Sequence, residues 1–128
     1  MKKDKAEIIE QIEASAKIRY AATLSGDYKA NNKEGPKIRR IFKMFEKDEA
    51  FAMACISELL ESKNVVVRTD AAAFCLALRQ NIPLAEKVLE EISDDPTNGI
   101  FGFNAEMTLK VWRENGELNI YQKKKETR

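Results

Sequence analysis

Residues 51–78 read FAMACISELL-ESKNVVVRTD-AAAFCLAL: two apolar, alanine-rich segments around a polar break at Glu61 to Asn64. In the first segment Phe51, Ala52, Cys55, Ile56, Leu59 and Leu60 recur at i, i+1, i+4 and i+5, the spacing of one helix face. In the second, Val67, Ala71, Phe74, Cys75 and Leu78 recur every three or four residues. Each segment has the length of an ordinary globular helix. A short break between two such segments predicts an antiparallel αα-hairpin. The second segment is apolar around most of its circumference, with Ala71, Ala72 and Ala73 in a row. Small side chains let helices approach closely on several sides, so this helix is expected at the centre of the domain.

The flanking sequence reads as more helices. Ile8, Ile9, Ile12, Ala16, Tyr20 and Leu24 form a stripe over Asp4 to Leu24, with Asp4 and Glu7 spaced as a capping box. Ser25-Gly26 ends that helix and Asp27 caps the next. From Asp27 to Lys47, Ile38, Ile41, Phe42 and Phe45 keep helical spacing, but Gly35-Pro36 interrupts them. Proline suits a first turn and breaks an interior, so two pieces or one kinked helix are both compatible, the kinked form being the expectation. Asn64 is a good N-cap for the central helix. Pro83 opens a fifth helix expected to bury Leu84, Val88, Leu89 and Ile92 and to expose Glu86, Lys87, Glu90 and Glu91. A sixth, roughly Gly102 to Arg113, is expected to pack Phe103, Met107, Val111 and Trp112 into the core, closed by Gly116. Leu118, Ile120 and Tyr121 can dock the tail, and a mobile basic end is expected at 122–128. No run of useful length has strand period. The expectation is therefore one all-α domain over residues 1–128, about six helices in antiparallel pairs stacked as a short superhelix.

The chain has 128 residues, a length suited to one domain with its own core, and a formal net charge of +1. Near-neutrality offers no global attraction to nucleic acid or membrane. The charge is unevenly spread. Residues 1–40 hold ten basic and six acidic side chains, residues 41–120 eight and fourteen, and the last eight four and one. An acidic middle between basic ends reads either as solvated helix faces or as a surface for a basic partner. The two cysteines, Cys55 and Cys75, each lie inside an apolar helix. They are expected to be free buried thiols packing as small hydrophobes, which fits a reducing, cytoplasmic setting. The N-terminal MKKDKAEIIEQIE mixes acids with its bases and leads into no apolar run, so no signal peptide is read there.

Leu59-Leu60, the polar break, Val67-Arg68, Ala71-Ala72 and Leu76 together resemble a HEAT-type repeat. That resemblance implies a valine packed under the turn, an arginine bridging neighbouring repeats, and an alanine pair that permits close packing. A wider likeness runs over about residues 15 to 117. It comprises Gly26-Asp27 with Lys29 and Asn32, Val67-Arg68 with Ala71-Ala72, Ala85 with Val88-Leu89-Glu90, Gly102, and Ala105-Glu106-Met107-Thr108-Leu109 with Trp112. In that order they resemble a small bacterial all-helical, HEAT-like (α-solenoid) domain family of unassigned function. Gly35-Pro36 and the basic tail depart from its pattern. The resemblance implies a solenoid fragment and supplies no catalytic residues.

The chain contains no histidine, the commonest general base and metal ligand, so no Ser-His or Cys-His dyad can be built. Two cysteines without a second pair could complete a zinc site only with carboxylates. The glycines are too scattered for a phosphate loop. Glu90-Glu91 and Asp94-Asp95 are adjacent acids, which on a helix point to different faces, and the second pair precedes a proline turn. Arg68 and Asp70 read as an inter-repeat ion pair before they read as ligand contacts. With no catalytic set, no cofactor and no metal site expected, the function expected is a non-enzymatic protein-binding module. Its most concrete form is an immunity protein that neutralises a cognate antibacterial toxin, for instance a nuclease with a basic cleft. Glu86, Glu90, Glu91, Asp94 and Asp95 are the acids expected to meet that partner. The alternative is nucleic-acid binding by Lys37, Arg39, Arg40 and Lys123-Lys124-Lys125, which the acidic middle opposes.

Overall fold

A computed structural model describes residues 4–121. They fold into six α-helices with no strand among the described residues: α1 (Lys5–Ser25), α2 (Tyr28–Lys47), α3 (Glu49–Leu59), α4 (Val65–Leu78), α5 (Ile82–Asp94) and α6 (Ile100–Asn115). A single 3-10 turn, Pro96–Asn98, separates the last two. The expected mobile tail at 122–128 lies outside the described residues.

Local chemistry sets the helix ends. The Asp4 carboxylate accepts from the Ala6 and Glu7 amides at 3.0 and 3.4 Å, and Asp27 accepts from Ala30 at 3.1 Å. Asn64 accepts from Val66 at 2.8 Å, satisfying an amide that the helix itself leaves open. Gly26 ends α1 at φ +78°, a left-handed conformation that glycine adopts without steric cost. The second helix is continuous from Tyr28 to Lys47 with Pro36 inside it. Gly35 removes the side chain that would otherwise resist an α conformation before proline.

α4 is the centre. It packs against α1, α3, α5 and α6. Rings carry α2 onto it as well: Phe74 lies 5.6 Å from both Phe42 and Phe45. Val67, Ala71, Ala72, Cys75 and Leu76 are fully enclosed. Leu118 and Ile120 pack half-buried on the core, and Tyr121 meets Phe42 edge-on.

Three expectations about helix faces are corrected. In α1, Ile8, Ile12 and Ala16 are buried, but Tyr20 and Leu24 are exposed. A strict i+4 repeat advances about 40° beyond a full turn at each step, so the stripe leaves the core before the helix ends. In α5, Ala85 is buried where Leu84 was expected; Leu84 is exposed and Val88 half-buried. In α6, Phe101, Gly102, Ala105, Leu109 and Trp112 face the core, whereas Phe103, Met107 and Val111 face outward.

Candidate partner-binding face

The outward turn of α6 follows from how closely it approaches α5. A β-carbon added at Gly102 would stand 3.1 Å from the Ile92 carbonyl oxygen, so that position admits little more than glycine. Ala85 and Ala105 are fully enclosed. Asn98 donates to the same Ile92 carbonyl at 2.9 Å and fixes the turn between the helices. The small residues occupy the tight side, and the large apolar ones are left on the other. Phe103, Met107 and Val111 are 57%, 38% and 40% exposed, spaced i, i+4, i+8.

Beside this stripe α5 and α6 enclose a groove of about 640 Å³. Glu90, Ser93 and Asp94 line one wall; Phe103, Glu106, Met107, Lys110 and Arg113 line the other. Arg113 donates to Glu90 at 2.6 Å and lies 3.9 Å from Glu86. Asp94 and Glu106 are exposed there. The groove lining itself holds three acids, Glu90, Asp94 and Glu106, and two bases, Lys110 and Arg113, within a segment, residues 82–117, that carries eight acidic and three basic side chains.

The five acids expected at a partner surface fall into three environments. Glu86 is half-buried, a correction to its expected exposure, because it accepts a hydrogen bond from the Trp112 indole N–H at 2.8 Å. Glu90 and Asp94 line the α5–α6 groove. Glu91 and Asp95 turn to a separate cleft of about 230 Å³ shared with Leu60 and Arg68. Asp95 accepts from the Thr97 hydroxyl and amide at 2.7 and 3.0 Å, and these bonds hold its carboxyl below its ordinary range. Phe103, Met107 and Val111 were missed as surface residues because two apolar stripes run along α6. Those containing Phe101 and Phe103 are two residues out of phase, about 200° apart. Gly102 and Ala105 were the available signal for the packed side.

Where α1, α2 and α4 meet, polar groups are used for assembly. Arg19 of α1 donates to both carboxylate oxygens of Asp70 of α4, at 3.1 and 2.7 Å, with both side chains only 16% exposed. Its Nε also donates to Ser15 at 3.1 Å. Asp70 thus joins α1 to α4, whereas Arg68, expected with it in an inter-repeat ion pair, makes none among the described residues and instead donates to the Ser62 carbonyl at 2.9 Å within its own connection. Glu34 of α2 is 4% exposed and accepts from Lys37 at 3.0 Å. Burial pushes the Glu34 carboxyl up, but the Lys37 hydrogen bond, the nearby Ser15 hydroxyl and the charges of Lys37 and Arg19 prevail, holding it below the ordinary glutamate range, while among the described residues its Oε1 is buried without a hydrogen-bond partner. Lys37 is therefore paired with Glu34, and the Arg39 guanidinium lies beside Gly35 of its own helix, while Lys123, Lys124 and Lys125 of the expected nucleic-acid set lie outside the described residues.

Cys55 and Cys75 are free and fully enclosed, and burial pushes both thiols up to about 11. Among the described residues no three of His, Cys, Asp or Glu converge as a metal-holding group, and no helix is long and apolar enough to cross a membrane. Compared with protein-family models, with curated proteins and with solved structures, the chain matches none.

Proposed function

We propose that this chain is a non-enzymatic protein-binding module whose α5–α6 face receives a partner bearing basic and apolar groups. The observation that carries this is the stripe of Phe103, Met107 and Val111, exposed beside Glu90, Asp94 and Glu106 while the core side of α6 is already filled. Exposed apolar side chains rimmed by charge are the composition of an interaction surface. The eight acids against three bases over residues 82–117 supply steering toward a positively charged partner. The concrete form is an immunity protein that covers the basic cleft of an antibacterial toxin. The architecture read with it is a short HEAT-like stack. Supporting it, each helix packs on the next in the chain, with further contacts of α1 to α3 and α4 to α6, besides the packing of α1 on α4.

The test begins with a tagged chain used to retain partners from cells carrying the candidate toxin. A stoichiometric protein partner released by salt is expected. Phe103→Glu and Met107→Glu should each weaken its retention by about 2 kcal/mol, the scale of an interface anchor, without unfolding the domain. If the partner is a nuclease, the wild-type chain should inhibit it and the double variant should not. A partner retained equally by wild type and double variant would place the interface elsewhere and end this reading.

A further inference from the structure

A second feature lies away from the α5–α6 groove and does not depend on it. Lys17 of α1, Lys63 of the α3–α4 connection and Arg68 of α4 line a cleft of about 460 Å³, with Tyr20, Asn64 and Asn98 completing its wall. No carboxylate contributes to that lining. Three cations from three parts of the chain repel one another there; Arg68 also borders the neighbouring cleft of Glu91 and Asp95, but among the described residues no ion pair joins it to either, so an anion entering the cleft meets three cations without a bound carboxylate. Among the described residues Lys17 and Lys63 make no ion pair, in contrast to Lys5, Arg19, Lys37 and Arg113, which each have a carboxylate within 4 Å. Arg68 is held in place by its bond to Ser62, so it is oriented rather than free to swing away.

The aromatic wall narrows the ligand class. Tyr20 is 40% exposed although its ring is stacked on Phe101, centroids 4.5 Å apart and planes 11° from parallel. One face of the phenol is thus fixed and supported from behind, and the ring borders the cationic cleft. A planar group laid on such a ring gains stacking energy whatever its edge chemistry. The cleft volume falls in the range that takes small molecules.

We infer that this cleft binds a phosphorylated small molecule carrying a planar ring, in class a mononucleotide, with Lys17, Lys63 and Arg68 on the phosphate and Tyr20 under the ring. The phosphate-type anion is recognised by charge-assisted hydrogen bonds, for which lysine and arginine are suited. Asn64 already caps α4 and Asn98 already holds Ile92, so these two shape the cleft while the cations supply affinity.

The experiment titrates the full chain, isotopically labelled for NMR, with inorganic phosphate, adenosine and adenosine 5′-monophosphate at low salt. Phosphate and the monophosphate are expected to shift resonances of Lys17, Lys63 and Arg68, the monophosphate binding about tenfold more tightly through stacking. The Lys17→Glu/Lys63→Glu variant should lose about tenfold or more in affinity for both anions, since two attractive charges become repulsive. Tyr20→Leu should reduce the monophosphate to the affinity of phosphate; Tyr20→Phe, which keeps the ring, should not. Circular dichroism of each variant separates loss of binding from loss of fold. Absence of binding at millimolar anion, or equal binding by the charge-reversed variant, overturns the assignment. A short RNA whose affinity grows with its length while the monophosphate fails to bind would overturn it too, in favour of a polymer backbone.

Discussion

Arg19 and Asp70 stand 51 residues apart in the chain and meet through two hydrogen bonds with little access to water. A paired, partly buried charge gains from its partner mainly by not being left alone. Arg19→Ala and Asp70→Ala are therefore each expected to cost about 2–4 kcal/mol in chemical denaturation, because each leaves the other charge uncompensated. Arg19→Met with Asp70→Leu should recover most of that loss, giving a double-mutant cycle with strong coupling. Single variants within about 0.5 kcal/mol of wild type would show that the pair does not anchor α1 to α4. Sequence reading reached only half of this pair. Asp70 was legible as a bridge because it opens an apolar helix, but nothing in the spacing of α1 marks Arg19 among its other cations. Ser15 and Glu34 were equally silent, since a serine or glutamate between apolar residues reads as solvent-facing until a neighbouring helix covers it. Arg79 illustrates a different cost. It ends α4 at φ +58°, and its guanidinium donates to the Gly116 carbonyl at 2.6 Å and lies 5.5 Å from the Trp112 ring centre, contacts that offset the left-handed backbone.

The helices themselves were well marked, and their faces less so. The capping residues Asp4, Asp27 and Asn64 all sit where their side chains accept an amide of the first turn. Such a bond needs only a few consecutive residues, and so it can be read without the fold. The interior proline of α2 is the exception to easy reading. Pro36 removes one amide donor and crowds the preceding turn, yet Ile38, Ile41, Phe42 and Phe45 bury enough apolar surface to keep the helix continuous. Pro36→Ala restores the missing bond at an exposed site. It is expected to stabilise the domain by about 1–3 kcal/mol, less the smaller loss from a freer unfolded chain, and to raise Tm by several degrees. An unchanged or lowered Tm would mean that proline supplies a shape the packing requires.

For the molecule as a whole, the core is laid around α4, and its two thiols tie stability to pH. The folded core holds Cys55 and Cys75 neutral, pushing each from an ordinary value of 9.0 to about 11. Burial and then the Glu46 carboxylate likewise push Tyr121 from 10.0 to about 12. A group whose proton is held more tightly in the folded state contributes its full stability below its unfolded value and loses it as pH rises through the folded one. Denaturation midpoints are therefore expected to be steady toward neutral pH and to fall between about pH 9 and 11, with Cys55→Ala/Cys75→Ala flattening that fall. The same burial predicts that thiol reagents label neither cysteine in the folded chain at neutral pH and both after unfolding. Rapid labelling of the native protein would contradict an enclosed core.

Sequence alone determined the number and rough extent of the helices, their caps, the central place of α4 and the burial of both cysteines. These rest on short-range chemistry: hydrogen bonds within a turn and apolar residues recurring every three or four positions. Only the tertiary structure decided which of two apolar stripes on α6 turns inward. That choice depends on Gly102 and Ala105 allowing close approach to α5, a fact about two helices and not one. It also decided that Arg19 finds Asp70, and that Lys17, Lys63 and Arg68 gather around one cleft. Such meetings are made by long-range packing, which brings side chains together without regard to their distance along the chain.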